Sequence, residues 1–309
     1  MFRLMVGSAA LFHRREFYSH RNGSMAKRKT GGEVTRFAPS PTGYLHIGHV
    51  FSALTAYHAR GKGGTFHLRI EDIDPARCKN KFTDAIQEDL KWLGLDWETP
   101  IRKQSKQMKD YDVALKKLSI KGLLYPCFCT RSEIKTEIEL SGHAPHGPDG
   151  PVYPGVCRKL SAEKRDDRLD DGDAHVRRID MSGAAAIAGP LAWRDTGMGM
   201  TKANPQRFGD VVLARKDVPT SYHLAVTVDD HLQGITLVTR GADLAPSTEI
   251  HRLLQGLLGY PTPTYAHHRL IKDTTGRRLA KRDQDMTIRA LRESGYTPEE
   301  VIEMSGFEK

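Results

Sequence analysis

Two histidines three residues apart, His46 and His49, close the run Pro39-Ser-Pro-Thr-Gly-Tyr-Leu-His46-Ile-Gly48-His49. That spacing puts both rings on one face of a helical turn. At a helix start, free backbone N–H groups and the positive dipole end favour an anion. Gly48 on the same turn lets a flat ring or a sugar approach the backbone closely. Two imidazoles donating to charge that builds on a phosphate would be a rate device. Far along the chain, Arg277-Arg278-Leu279-Ala280-Lys281-Arg282 forms a basic cluster after Thr274-Thr275-Gly276. Lys281 could act there as a mobile lid that neutralises a triphosphate. Each signal alone has an ordinary reading: histidines that cap a surface helix, and a solvated basic loop.

These residues need elements to hold them. Val34 to Ala38 reads as a strand ending in the sharp turn Pro39-Ser40-Pro41-Thr42-Gly43, and His46 to Arg60 as a helix with Ile47, Val50, Phe51 and Leu54 as its apolar stripe. Phe66 to Ile70 alternates as a second strand and closes on Glu71-Asp72-Ile73-Asp74-Pro75. Phe82 to Leu93 and Met108 to Leu118 look helical, with glycine stops at Gly94 and Gly122. Strand and helix in alternation predict a parallel α/β sheet. From Tyr125 to about Arg215 the chain turns rich in Gly, Pro, His and charge, with weak strand signals at Ala174–Ile179 and Asp210–Leu213, which fits a small insertion. Regular pattern resumes at Tyr222 to Val228 and Gly234 to Arg240, then a helix from Ser247, its expected N-cap, to Leu258. Short helices are expected at Asp285–Glu293 and Pro298–Met304, and there is no internal repeat.

Composition bounds the rest. Of the net charge of +9, the first thirty residues carry +6, from seven basic side chains against Glu16 alone. The body therefore permits a phosphate-bearing partner without demanding one. No apolar run approaches the roughly 20 residues needed to cross a bilayer, so no membrane is expected. Met1 to Ser24 is Arg-bearing and acid-poor, which suits a disordered tail, an upstream start or a mitochondrial presequence. A cytoplasmic monomer is the working expectation. Four cysteines without a secretory signal suggest a reducing compartment, where clustered Cys means metal more often than disulfide.

Taken together the motifs resemble class I aminoacyl-tRNA synthetases of the glutamyl/glutaminyl group. His46-Ile-Gly-His49 matches that group's HIGH signature, and Arg278-Leu-Ala-Lys-Arg282 is similar to its KMSKS signature with Ala280 in place of the usual serine. Arg36-Phe-Ala-Pro-Ser40, Arg69-Ile-Glu-Asp-Ile-Asp74 and Val228-Asp-Asp-His231 also look like its motifs, so the likeness spans about residues 33 to 285. It implies a Rossmann-like catalytic fold and a ligase that uses ATP with Mg²⁺, with His46, Gly48, His49 and Lys281 at the nucleotide. It further implies that Arg36, Phe37, Ala38, Pro39, Ser40, Glu71, Tyr222 and Arg240 line an L-glutamate pocket. Arg36 or Arg240 would hold a carboxylate and Glu71 the ammonium.

The short stretch after Arg282 resembles the glutamyl-queuosine tRNA(Asp) synthetase branch, which activates glutamate without tRNA and attaches it to the queuosine base of tRNA(Asp). The alternatives are a truncated glutamyl-tRNA synthetase that charges the tRNA 3′ end, and a catalytically inactive tRNA-binding paralogue, which Ala280 alone favours. Cys127-Phe-Cys129 and Tyr153-Pro-Gly-Val-Cys157 match that branch's zinc pattern. Three thiolates and a phenolate or imidazole can close a tetrahedral structural site, with His143 and His146 as alternative fourth ligands and Cys78 a bystander. The implied layout is an N-terminal extension (1–32), a first catalytic half (33–124), a zinc-binding insertion (125–215), a second catalytic half (216–273) and a KMSKS-like loop with short helices (274–309). Arg158, Lys159, Arg177 and Arg178 of the insertion are expected to meet RNA phosphates.

Overall fold

The computed structural model describes residues 31–140, 146–148, 150–271 and 287–308. Residues 1–30, His143, the side chain of His146 and the basic loop with Lys281 lie outside the described residues. In chain order the elements are β1 (Val34–Phe37), α1 (Ile47–Ala59), β2 (Thr65–Ile70), α2 (Asn80–Trp92), β3 (Glu98–Lys103), α3 (Met108–Ile120), β4 (Leu124–Cys127), α4 (Arg131–Leu140), β5 (His146–Gly147) and β6 (Gly150–Pro151). There follow α5 (Ala162–Asp170), β7 (Val176–Ile179), α6 (Met181–Ala188), β8 (Ala192–Asp195), β9 (Gly199–Lys202) and β10 (Val212–Ala214). The last are α7 (Tyr222–Leu232), β11 (Leu237–Gly241), α8 (Thr248–Leu258), β12 (Thr264–His268), α9 (Ile288–Glu293) and α10 (Pro298–Met304).

The apolar stripe of α1 explains the first half. Ile47, Val50 and Leu54 are buried against Phe37 of β1 and Phe66, Leu68 and Ile70 of β2, with Ile86 and Leu90 of α2 in the same cluster. Gly94 and Gly122 sit just past α2 and α3 with φ of +75° and +69°, the left-handed turn that stops a helix at little cost for glycine. A second core joins Tyr111, Leu115 and Leu118 of α3 to Leu224 and Val228 of α7 and Ile250, Leu253 and Leu257 of α8.

β1, β2 and β3 run parallel in that order, and β11, β12 and β8 run parallel with β9 antiparallel at the edge. The two groups are joined along β1 and β11. Thr236 N–H donates to Val34 O at 3.0 Å, Val34 N–H to Thr236 Oγ1 at 2.8 Å, and farther along Arg36 Nη1 to Thr239 O at 3.0 Å. β1 therefore has its sequence neighbour β2 on one side and the distant β11 on the other. Such a switch point opens a crevice at the carboxyl ends of the strands, where α/β folds bind ligands.

β4, β7 and β10 form an antiparallel sheet in the order β10-β7-β4, over a core of Tyr125, Cys127, Phe128, Tyr153 and Cys157. Residues 192–202, counted with the insertion from sequence, instead form β8 and β9 and extend the larger sheet, where Trp193 packs with Val238 and Tyr265. Ser247 does stand at the start of α8, but its backbone is already helical and its side chain makes no capping bond. Among the described residues no helix is long and apolar enough to cross a membrane.

Candidate active site

A cavity of ≈ 380 Å³ opens at the switch point. Its wall takes Arg36 and Phe37 from the end of β1, Ala38, Pro39 and Ser40 from the following loop, and His46, Gly48 and His49 from the start of α1. Glu71 enters directly after β2, Tyr222 begins α7, and Arg240 comes from the end of β11. Each residue expected at the nucleotide or the amino acid thus lines one cavity, except Lys281, which lies outside the described residues. Ser52, Thr239, Asp243 and His268 are among the other wall residues, and none belongs to a motif visible in the sequence.

The start of α1 differs from its sequence reading in one respect. His46 caps α1: its Nδ1 accepts from Gly48 N–H at 3.1 Å, and His49 Nδ1 accepts from His46 N–H at 3.1 Å. His49 and Val50 N–H groups are bonded to His46 O. Most of the backbone donors at this helix start are therefore engaged by His46 and not offered to an anion. The imidazoles replace them. A ring that accepts at Nδ1 carries its proton on Nε2, so both histidines are donors at that nitrogen. The rings lie 3.8 Å apart, and a Cβ on Gly48 would come within 3.0 Å of His46 Cε1. Gly48 thus makes room for the capping ring itself.

The wall around Glu71 and Arg36 is built on charge. Arg69, fully buried, donates to Asp230 at 2.7 Å and to Glu71 at 3.3 Å, and Arg36 donates to the same Asp230 at 2.9 Å. Asp229, one residue earlier, accepts from Arg102, Gln104 and Tyr111. The Asp229-Asp230 pair and Arg69 thus tie β1, β2, β3 and α7 together beneath the cavity. Burial raises the Glu71 carboxyl above its usual range, although Arg69 and Arg36 pull it down. An arriving ammonium would relieve that strained anion.

Arg240 is the exception in this network. It is 7% exposed, and its partners are Thr248 Oγ1 at 2.6 Å, His251 Nδ1 at 3.1 Å and His267 Nε2 at 3.3 Å. No carboxylate pairs with it among the described residues. Burial and the neighbouring Arg240 cation hold His251 well below the ordinary histidine range, so that ring is neutral. Of the five guanidinium N–H groups, these contacts use three and leave one on each terminal nitrogen, the pair a bidentate carboxylate contact requires. A nearly buried cation without an adjoining anion favours an anionic ligand.

A larger cavity of ≈ 780 Å³ shares Ser40, Glu71 and Tyr222 with the first and runs toward the insertion. Arg77, Arg131, Arg178, Arg215 and Lys216 line it, with Asp74 and Asp217. Of the insertion's expected phosphate contacts, Arg178 lies here. Arg158 instead pairs with Asp180 and Asp210 at 3.3 and 3.1 Å, and Lys159 and Arg177 are exposed.

The cysteines converge. The sulfurs of Cys127, Cys129 and Cys157 all lie within 4.8 Å of one another. Tyr153 Oη is 3.3 Å from Cys127 Sγ and 3.5 Å from Cys129 Sγ. Zinc bound to thiolates at about 2.3 Å sets tetrahedral sulfurs about 3.8 Å apart, so this cluster has the right size. Burial pushes the Cys129 thiol up to about 12, whereas the N–H of Phe128 and the Tyr153 hydroxyl outweigh burial at Cys157 and lower it. Four such donors fit a small tetrahedral cation. Cys78 is not part of the cluster, and its thiol donates toward Glu71 O at 3.9 Å.

This sheet, crevice and histidine-capped helix define a class, and the chain belongs to the class I tRNA synthetases (E and Q), whose catalytic-domain model matches residues 33–306. It is a ligase of the aminoacyl-tRNA synthetase type with a mixed α/β fold. A glutamyl-Q tRNA(Asp) synthetase of Rhodobacter capsulatus is 44% identical over 283 residues, covering 89% of this chain and 100% of that protein. A glutamate–tRNA ligase of Coprothermobacter proteolyticus is 38% identical over 87% of this chain but only 56% of its own length. The crystal structure of a glutamate-tRNA synthetase from Elizabethkingia anophelis superimposes with a TM-score of 0.75 at 30% identity, covering 89% of this chain and 61% of that one. The expected resemblance to the glutamyl-queuosine branch is thus matched by relatives of that name.

Proposed function

We propose that the protein activates L-glutamate as glutamyl-adenylate without needing tRNA, and transfers it to the queuosine base in the anticodon of tRNA(Asp). The carrying observation is a single cavity lined both by Arg240, a nearly buried cation with no carboxylate partner among the described residues, and by the imidazoles of His46 and His49. Arg240 takes the side-chain carboxylate, since Arg36 is already paired with Asp230. Glu71 takes the ammonium. The glutamate α-carboxylate then attacks the α-phosphorus of Mg²⁺-bound ATP, and the bond to pyrophosphate breaks. His46, His49 and Lys281 offset the charge that develops as it does. In the second step a hydroxyl of the acceptor attacks the mixed anhydride, forming the ester and releasing AMP. The cation-lined cavity beside Glu71 and Tyr222 is where we assign the acceptor nucleoside, because single-stranded bases can be splayed out and read there. Zinc held by Cys127, Cys129, Cys157 and Tyr153 would staple the insertion and take no part in the chemistry.

The queuosine acceptor draws support from a glutamyl-Q relative that is matched over its whole length. The 38%-identical glutamate–tRNA ligase keeps charging of the tRNA 3′ end as the second reading. Labelled glutamate offered with tRNA(Asp), with and without queuosine and with and without its 3′ terminus, separates the two. The proposal expects label on 3′-truncated queuosine tRNA and none on queuosine-free tRNA. Label on queuosine-free tRNA but not on truncated queuosine tRNA overturns it.

A further inference from the structure

Arg240 is held by groups that must all accept from it, and one of them is a histidine whose tautomer is set from behind. His267, on β12, meets Arg240 Nε at its own Nε2, 3.3 Å away. Its other nitrogen, Nδ1, lies 2.6 Å from Asp195 Oδ2. A carboxylate only accepts, so Nδ1 carries the proton and Nε2 presents a lone pair to the guanidinium. Asp195 is 2% exposed, at the end of β8, and is itself fixed: its Oδ1 accepts from Gly197 N–H at 2.8 Å and Met198 N–H at 3.1 Å in the β8–β9 turn. Thr248 Oγ1 stands 3.3 Å from the same His267 nitrogen and accepts from Arg240 Nη2.

We infer that Asp195 and His267 are positioning residues for the glutamate carboxylate, acting through Arg240. This rests on the reading of Arg240 as the cation that holds the substrate side chain. The relay runs Asp195 carboxylate, His267 imidazole, Arg240 guanidinium, ligand carboxylate, so negative charge stands at both ends of one cation. With Nε2 unprotonated, His267 draws Arg240 Nε inward, and Thr248 and His251 each take one N–H from the terminal nitrogens. The remaining terminal donors form the fork. Protonation of His267 on Nε2 would set two donors against each other and turn that fork aside.

Asp195→Asn tests this, because the oxygen of the new amide would stay on the Gly197 and Met198 N–H groups. Its NH₂ would then face His267 Nδ1 and drive the proton to Nε2. Glutamate-dependent pyrophosphate exchange by this variant should show the glutamate KM raised at least about tenfold with the ATP KM within twofold. His267→Gln should keep most glutamate affinity, since its NH₂ can serve Asp195 while its oxygen accepts from Arg240; His267→Leu should not. Heteronuclear NMR of the imidazole nitrogens should find His267 protonated on Nδ1 in the wild type and on Nε2 in Asp195→Asn, a readout independent of activity. The inference is overturned if the Nδ1 proton is absent in the wild type. It also fails if Asp195→Asn raises both KM values alike, or leaves the glutamate KM within twofold of wild type. Arg240→Gln with unchanged glutamate KM would instead refute the assignment of the pocket, whatever the tautomer.

Discussion

Cys129 and Cys157 stand 28 positions apart in the chain and bring their sulfurs to 3.4 Å. Contact that close between two thiols, with Cys127 and the Tyr153 hydroxyl beside them, is what a cation could draw together and what a plain apolar core does not require. One zinc per chain is therefore expected in purified protein by elemental analysis, with Cys127→Ser or Cys157→Ser releasing it. Tyr153→Phe separates the fourth ligand: retained zinc would move that role to His143 or His146. Metal-free wild-type protein prepared without chelators would end the zinc assignment.

Arg240→Gln should raise the glutamate KM about a hundredfold, the loss of roughly 3 kcal/mol expected for a bidentate charge-assisted contact. The ATP KM should stay near wild type, because the proposed nucleotide contacts are His46 and His49 and not Arg240. Steady-state exchange kinetics at varied glutamate check it, and an unchanged glutamate KM would refute the carboxylate role.

Lys281 rests on sequence alone, outside the described residues. Lys281→Ala should slow adenylate formation by about 2–4 kcal/mol in the transition state while glutamate binding, measured by calorimetry, changes little. An exchange rate within a few-fold of wild type contradicts the lid role.

Stability should carry a signature of Asp89. Burial in α2 lifts its carboxyl from an ordinary 3.8 to about 6, although Arg292 of α9 donates to it at 3.2 Å, and its second oxygen has no described partner. The folded state thus binds this proton more tightly than the unfolded chain. The stability it confers is full below about pH 4 and is lost as pH rises through about 6. Asp89→Asn should be more stable than wild type by about 1–2 kcal/mol at pH 7.5, and equal to it at pH 4. Denaturant melts at both pH values test this, and a gap that widens toward acid would contradict it.

The parts of the fold that read well from sequence were those with a clear period. Ile47, Val50 and Leu54 marked α1, and Phe66, Leu68 and Ile70 marked β2, because one face of each is buried. β3 carries no strand signal because Glu98-Thr-Pro-Ile-Arg-Lys has no alternation and holds a proline, and β12 none because Thr-Tyr-Ala-His-His is mostly polar. α5 has no buried residue, so no stripe announces it. The candidate site was legible where motifs lie just past strand ends. Asp195 and His267 were not, since each stands alone in the chain and reaches Arg240 only through the β11–β12 and β12–β8 pairings. Arg69, Asp229 and Asp230 were visible as motif letters but their pairing needs β2 and α7 side by side.

In the proposed reaction this cavity joins glutamate to ATP by itself. Glutamate-dependent exchange of labelled pyrophosphate into ATP, run with no RNA present, tests it most directly. The account predicts robust exchange that requires glutamate and is not raised by adding tRNA. Exchange that appears only when tRNA is supplied, or no exchange under either condition, would contradict it.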